Sequence, residues 1–159
     1  MTEQLLFQFE NKNGELLSIW HCEKIAQSKA FSKFQKIYLE TIDSGFATLT
    51  HLNFVTSKLD TIEIVYTTMP DGEVIAGIAF EHYRQLNEAC VTFSFADPAY
   101  RTHAFEKYRL LMHKFFKKIL KSRGVLQVTA WINVDNIKSI KIAERRGWTQ
   151  ESIKMVKKL

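Results

Sequence analysis

The chain has 159 residues, 46% of them hydrophobic and 25% charged; this suits one folded domain over residues 1–159 and is too short for two ordinary ones. No apolar run approaches the roughly 20 residues that cross a bilayer, and the N-terminus has neither the basic start nor the long apolar stretch of a secretory leader. Only Cys22 and Cys90 occur, outside any CxxC pair, which argues against a disulfide framework or a thiolate zinc site and points to a reducing, cytoplasmic setting with no membrane association.

Charge is unevenly placed. Residues 1–100 hold 7 Lys/Arg and 13 Asp/Glu, a net of −6, whereas residues 101–159 hold 15 and 4, a net of +11. The C-terminal third is therefore suited to an anionic partner, whether a phosphorylated cofactor, a nucleic acid or an acidic protein. A solvated basic helix face accounts for the same numbers.

In chain order, Leu5 to Phe9 reads as a strand closed by the turn Asn11-Lys12-Asn13-Gly14, with Leu16 to Trp20 as its hairpin partner. Residues 23–42 have helical spacing, with Ile25, Ala26, Ala30, Phe34, Ile37, Tyr38 and Ile42 on one face. Gly45 is a helix stop, and residues 46–60 read either as a second helix or as a loop. Three strands follow over residues 61–68, 73–83 and 88–96, joined at Pro70-Asp71-Gly72 and at 84–87, as an antiparallel meander.

The clearest helix starts at residue 103 and ends at Ser122-Arg123-Gly124. Ala104, Phe105, Tyr108, Leu111, Met112, Phe115, Phe116, Ile119 and Leu120 make its apolar stripe, and Lys114, Lys117, Lys118 and Lys121 lie off it, in solvent. Residues 125–132 form a strand. A helix at 136–146 turns Ile140, Ala143 and Ile137 inward, Gly147 ends it, and 148–156 is a last strand. Strand–helix–strand units at this end imply parallel neighbours, so the fold class is α/β (α+β) with a central mixed sheet flanked by helices.

The chemistry concentrates where the third meander strand runs through Asp97-Pro98-Ala99-Tyr100-Arg101-Thr102 into the long helix. Pro98 ends the ladder, and free N–H groups at the helix start, with the Arg101 charge, form a cradle for an anion. Asn136 begins the next helix, where a bare N-cap explains it equally well. The five His are scattered without metal spacing, so no metal site is expected; only His103 falls at the cradle.

This segment resembles the cofactor motif of the GNAT (Gcn5-related N-acetyltransferase) superfamily, in which a strand ends in Pro, Arg or Gln follows three residues on, and Gly-x-Gly/Ala opens the helix. Pro98 and Arg101 match. Ala104 and Glu106 stand where small residues are usual; Glu106 brings bulk and like charge toward a diphosphate, and Thr102 and His103 offer compensating donors. A second match follows: Asn136, Ser139, Gly147 and Trp148 resemble the pattern Asn-x-x-Ala, an apolar pair, then Gly-Phe. The family's Tyr seven residues after the Asn, which protonates the departing thiolate, is Ala143 here.

The resemblance implies a GNAT-like acyltransferase domain that binds acetyl-CoA or another acyl-CoA, weakly, and transfers the acyl group to an amine. The cofactor-binding residues it implies are Phe95, Ala96, Arg101, Thr102, His103, Ala104, Phe105, Glu106, Asn136 and Ser139, with Glu81, His82 and Glu88 where the family often places a base. Glu106 and Ala143 also fit an alternative: a catalytically inactive GNAT-fold module with a protein partner, similar to small diverged members that include phage-encoded ones. Nothing in the sequence resembles a nucleic-acid module.

Overall fold

The computed structural model describes residues 3–44, 53, 55–132 and 136–150. Its centre is a six-stranded sheet of β1 (Glu3–Glu10), β2 (Leu16–Cys22), β3 (Ile62–Thr68), β4 (Val74–Tyr83), β5 (Glu88–Ala96) and β6 (Gln127–Ala130), neighbours in that order. Pairing is antiparallel from β1 through β5 and parallel between β5 and β6. The mixed sheet follows from the connections. Short turns join β1 to β2, β3 to β4 and β4 to β5 as hairpins, the longer connection through α1 brings β3 back antiparallel to β2, and the helix between β5 and β6 carries the chain to a parallel start.

Three α-helices accompany it among the described residues: α1 (Phe31–Asp43), α2 (His103–Ser122) and α3 (Ile137–Arg145). On one face α1 packs Phe34, Ile37 and Tyr38 against Ile62, Ile64, Tyr66 and Phe95. On the other, α2 packs Met112, Phe116 and Leu120 against Ile19, Val65, Ile78 and Phe80. The strand between the layers, β3, is buried at every position. Its sequence alternation suggests one wet face, but both faces are covered, so Glu63 and Thr67 are buried too.

Several elements depart from expectation. Residues 23–42 do not form one helix: Ile25–Gln27 is a separate 3-10 turn, which leaves Ala26 exposed, and α1 begins at Phe31. The α2 stripe begins at Phe105, because Ala104 lies in the exposed first turn. Lys114, Lys117, Lys118 and Lys121 are exposed, in keeping with the helix phase read from the sequence. The strand expected at 125–132 is shorter.

The expected packing of α3 is not found. It buries none of its residues, and Ile137 is 54% exposed. Arg146, just past its end, bonds His113 of α2, and Ile140 and Ala143 are only partly covered. No strand is formed over residues 148–150; 151–156 lie outside the described residues, as do Gly45, 46–52 and 54.

Candidate active site

The sheet parts at β5. The last β5–β6 pair is Val91 with Ala130, and β5 then runs on over residues 92–96 with no strand neighbour on that side among the described residues. At the parting point the β4–β5 register slips. Phe80 pairs Val91 and Ala79 pairs Phe93, so Thr92 is the extra residue of a bulge, a device that bends a strand and re-aims its groups. Thr92 is 5% exposed, and its hydroxyl is sheltered without a hydrogen-bond partner among the described residues. Leaving a buried hydroxyl unbonded costs about 1–3 kcal/mol.

The unpaired stretch of β5 leads into a braced turn. Asp97 begins the 3-10 turn Pro98–Tyr100, and its carboxylate accepts from the Ala99 N–H at 2.9 Å. Lys33 of α1 forms ion pairs with Asp97 and Glu73, and the Tyr100 hydroxyl donates to Glu73 at 2.7 Å. Burial alone would raise the Asp97 carboxyl; the Lys33 ammonium, the Ala99 N–H and the Arg101 charge outweigh it, and its pKa lies below the usual carboxylate value. The turn is thus fixed to the α1 layer. The sequence signal for it was the Asp-Pro pair; the partners Lys33 and Glu73 are too distant in sequence to be read from it.

Beyond the turn, α2 starts without a side-chain cap at Thr102. Its first N–H groups keep the donor capacity that an anion uses at a helix start. Arg101 folds back, its Nε donating to the Ala96 carbonyl at 2.7 Å, which joins the cation to the end of β5. Glu106 is not a bare charge: the His103 Nδ1 lies 3.2 Å from its carboxylate. Phe105 packs edge-on between Tyr100 and Tyr108 at centroid distances of 4.9 and 5.7 Å. Phe95 turns its ring into the core against Gly77, so only its backbone serves the strand edge.

Asn136 and Ser139 are brought together as a helix cap, the Asn136 carboxamide oxygen accepting from the Ser139 N–H at 3.2 Å. The strand-region carboxylates divide. Glu81 is engaged by Lys58 at 3.0 Å, Thr61 at 3.1 Å and the Tyr83 hydroxyl at 2.6 Å; despite burial these partners lower its pKa, so it is spent as a base. His82 lines a shallow cavity with Arg84 and Arg123, on the face where Glu63 bridges His21 at 2.7 Å and Arg123 at 2.6 Å. Burial and the Arg123 charge push the His82 pKa down. No group of three or more His, Cys, Asp or Glu side chains suits a metal ion among the described residues, and no described helix is long and apolar enough to cross a membrane.

The whole architecture has counterparts among solved structures. A ribosomal-protein-alanine N-acetyltransferase from Brucella melitensis biovar Abortus 2308 superposes with a TM-score of 0.61 at 10% identity, covering 90% of this chain and 99% of that one. A possible acetyltransferase from Clostridium difficile 630 gives 0.60 at 14% identity, covering 90% and 97%. The candidate acetyltransferase YycN from Bacillus subtilis gives 0.56 at 16% identity, covering 80% and 88%.

This chain has the GNAT fold. At these identities the likeness is one of fold. No family model matches the sequence, and no curated protein matches it.

Proposed function

We propose that the chain is an acyl-CoA-dependent N-acyltransferase acting on an amine. The observation that carries this is the parting of β5 from β6 at the Thr92 bulge, directly before the 97–102 turn and the uncapped start of α2. One continuous surface then offers strand-edge hydrogen-bonding groups and an anion cradle. These residues fit an acyl-CoA. The edge over residues 92–96 would hold the pantetheine arm, with Asn136 and Ser139 beside it. Arg101, Thr102, His103, Ala104, Phe105 and Glu106 would hold the diphosphate. The bound cofactor supplies the acyl thioester.

The chain's own residues have three tasks. The fixed N–H groups of the β5 edge are oriented before any ligand arrives, so they stabilise developing oxyanion charge without reorganising. The core beneath, built from Phe93, Phe95 and Phe34, keeps water from that edge. The Thr92 and Ser139 hydroxyls are the proton carriers left where Ala143 replaces a phenol. The His103 contact lessens the like-charge penalty of Glu106 without removing its bulk, so binding is weaker than Gly at that position would give.

Calorimetry with acetyl-CoA and with CoA tests the reading before any acceptor is known. Heat with wild type, increased by Glu106→Gly, is the expected result. Silence from both proteins at millimolar ligand overturns it and leaves the non-catalytic module.

A further inference from the structure

Away from the proposed acyl site, α2 and the end of α3 bring cations together with little to neutralise them. Arg109, His113 and Lys117 follow one another at four-residue intervals along one stripe of α2. Arg146, just past α3, reaches across, and its Nη1 donates to His113 Nε2 at 3.2 Å. That bond makes Nε2 the acceptor, so Nδ1 carries the ring proton and remains a donor. The Arg109 Nε is sheltered from solvent and has no hydrogen-bond acceptor among the described residues. Among the described residues Glu106 is the carboxylate that acts on Arg146, and it also contacts His103.

Burial, then the charges of Arg146, Lys117 and Arg109, push His113 down to about 4. Burial and Arg109 likewise lower Arg146. With His113 neutral, three cations and one anion leave a charge of +2. Like charges held this close cost free energy, and a buried guanidinium N–H without an acceptor adds to it. A ligand with two negative charges and several acceptor oxygens relieves both.

We propose that the junction where Arg146 meets α2 is an anion site that seats a phosphate group, held by Arg109, His113 and Arg146. Phosphate suits it better than carboxylate, since its charge matches and guanidinium forks bind its oxygens in pairs. The site begins one helical turn past Glu106 of the proposed diphosphate cradle and runs away from it along α2. His113 lies ten residues beyond His103, about 15 Å along the helix at 1.5 Å per residue. It does not rest on the acyl-CoA reading.

The test is calorimetry of the full chain with inorganic phosphate and with acetate, in wild type, Arg109→Gln/Arg146→Gln and Lys114→Gln/Lys118→Gln, each confirmed folded by circular dichroism. Phosphate should bind wild type and the lysine variant alike, with at least a tenfold loss in the arginine variant and acetate at least tenfold weaker. On binding, the His113 ring should show a raised pKa by NMR titration. Absence of heat in wild type overturns the site, as does equal loss in both variants or acetate binding as well as phosphate. Complete displacement of phosphate by CoA also overturns it, since the junction would then belong to the cofactor. If CoA gives no heat with wild type or with Glu106→Gly while phosphate does, the acyl-CoA reading fails and the phosphate seat stands.

Discussion

The Phe95 ring lies against the bare backbone of Gly77: a Cβ placed at Gly77 would come within 2.6 Å of the ring's Cε1 and 2.8 Å of its Cζ. The two residues are paired across β4 and β5, so neither can retreat without shifting the strand that leads to the candidate site. Gly77→Ala should lower stability by about 1–3 kcal/mol, as overpacking of a filled core does. Denaturant melts check it. Adding Phe95→Leu should restore part of the loss by freeing the space.

Thr92 should separate stability from ligand binding. Thr92→Val keeps the shape and removes a buried hydroxyl that has no partner among the described residues, so the melting midpoint should hold or rise. If that hydroxyl serves the acyl group, the same variant should lose affinity for acetyl-CoA more than for CoA. A fall in stability with no change in binding would give Thr92 a purely structural role.

Arg101 and Glu106 should act in opposite directions on CoA affinity. Arg101→Ala removes a cation and frees the Ala96 carbonyl at the end of β5; a loss of about 1–3 kcal/mol of binding is expected. Glu106→Gly should improve binding by removing bulk and charge, although it also frees His103. Calorimetry at two salt concentrations distinguishes a charge effect, which fades with salt, from a steric one.

His113 makes stability fall in acid. Above its ordinary value of 6.5 the ring is neutral folded or unfolded; below that the unfolded chain takes a proton that the folded chain refuses until about pH 4. Stability therefore drops from pH 6.5 toward 4, with a slope of up to about 1.4 kcal/mol per pH unit. His113→Gln retains an acceptor for Arg146 and should flatten that slope in melts taken across this range.

The sequence carried the framework well where the local pattern was strong. The bounds 88–96 and the helix start at 103 emerged as written, but the bulge at Thr92 puts Val91 in the core under α2 and Phe93 and Phe95 in the core under α1, so the period-two face is broken there. It carried less where distant partners decide. The helix expected from residue 23 is interrupted before Phe31, and neither Ile25 nor Ala30 signals a 3-10 turn by spacing. Ile137 was expected inside because it is apolar, but the short helix it opens buries none of its residues. The turn and helix start proposed as the cradle were legible from Pro98 and Arg101. The parting at Thr92, the brace from Lys33 and the pairing of His113 with Arg146 depend on contacts between residues far apart in the chain, which no local spacing encodes.

Burial of β3 on both faces sets how the molecule comes apart. Ile64 and Tyr66 belong to the core under α1, and Val65 to the core under α2. Neither helical layer can detach without exposing a strand that the other still needs. The two layers should therefore be lost in one transition, and the amides of Ile62–Thr68 should be the last to exchange with deuterium, opening only when the whole sheet does. The backbone of α3, which buries nothing, should exchange long before them.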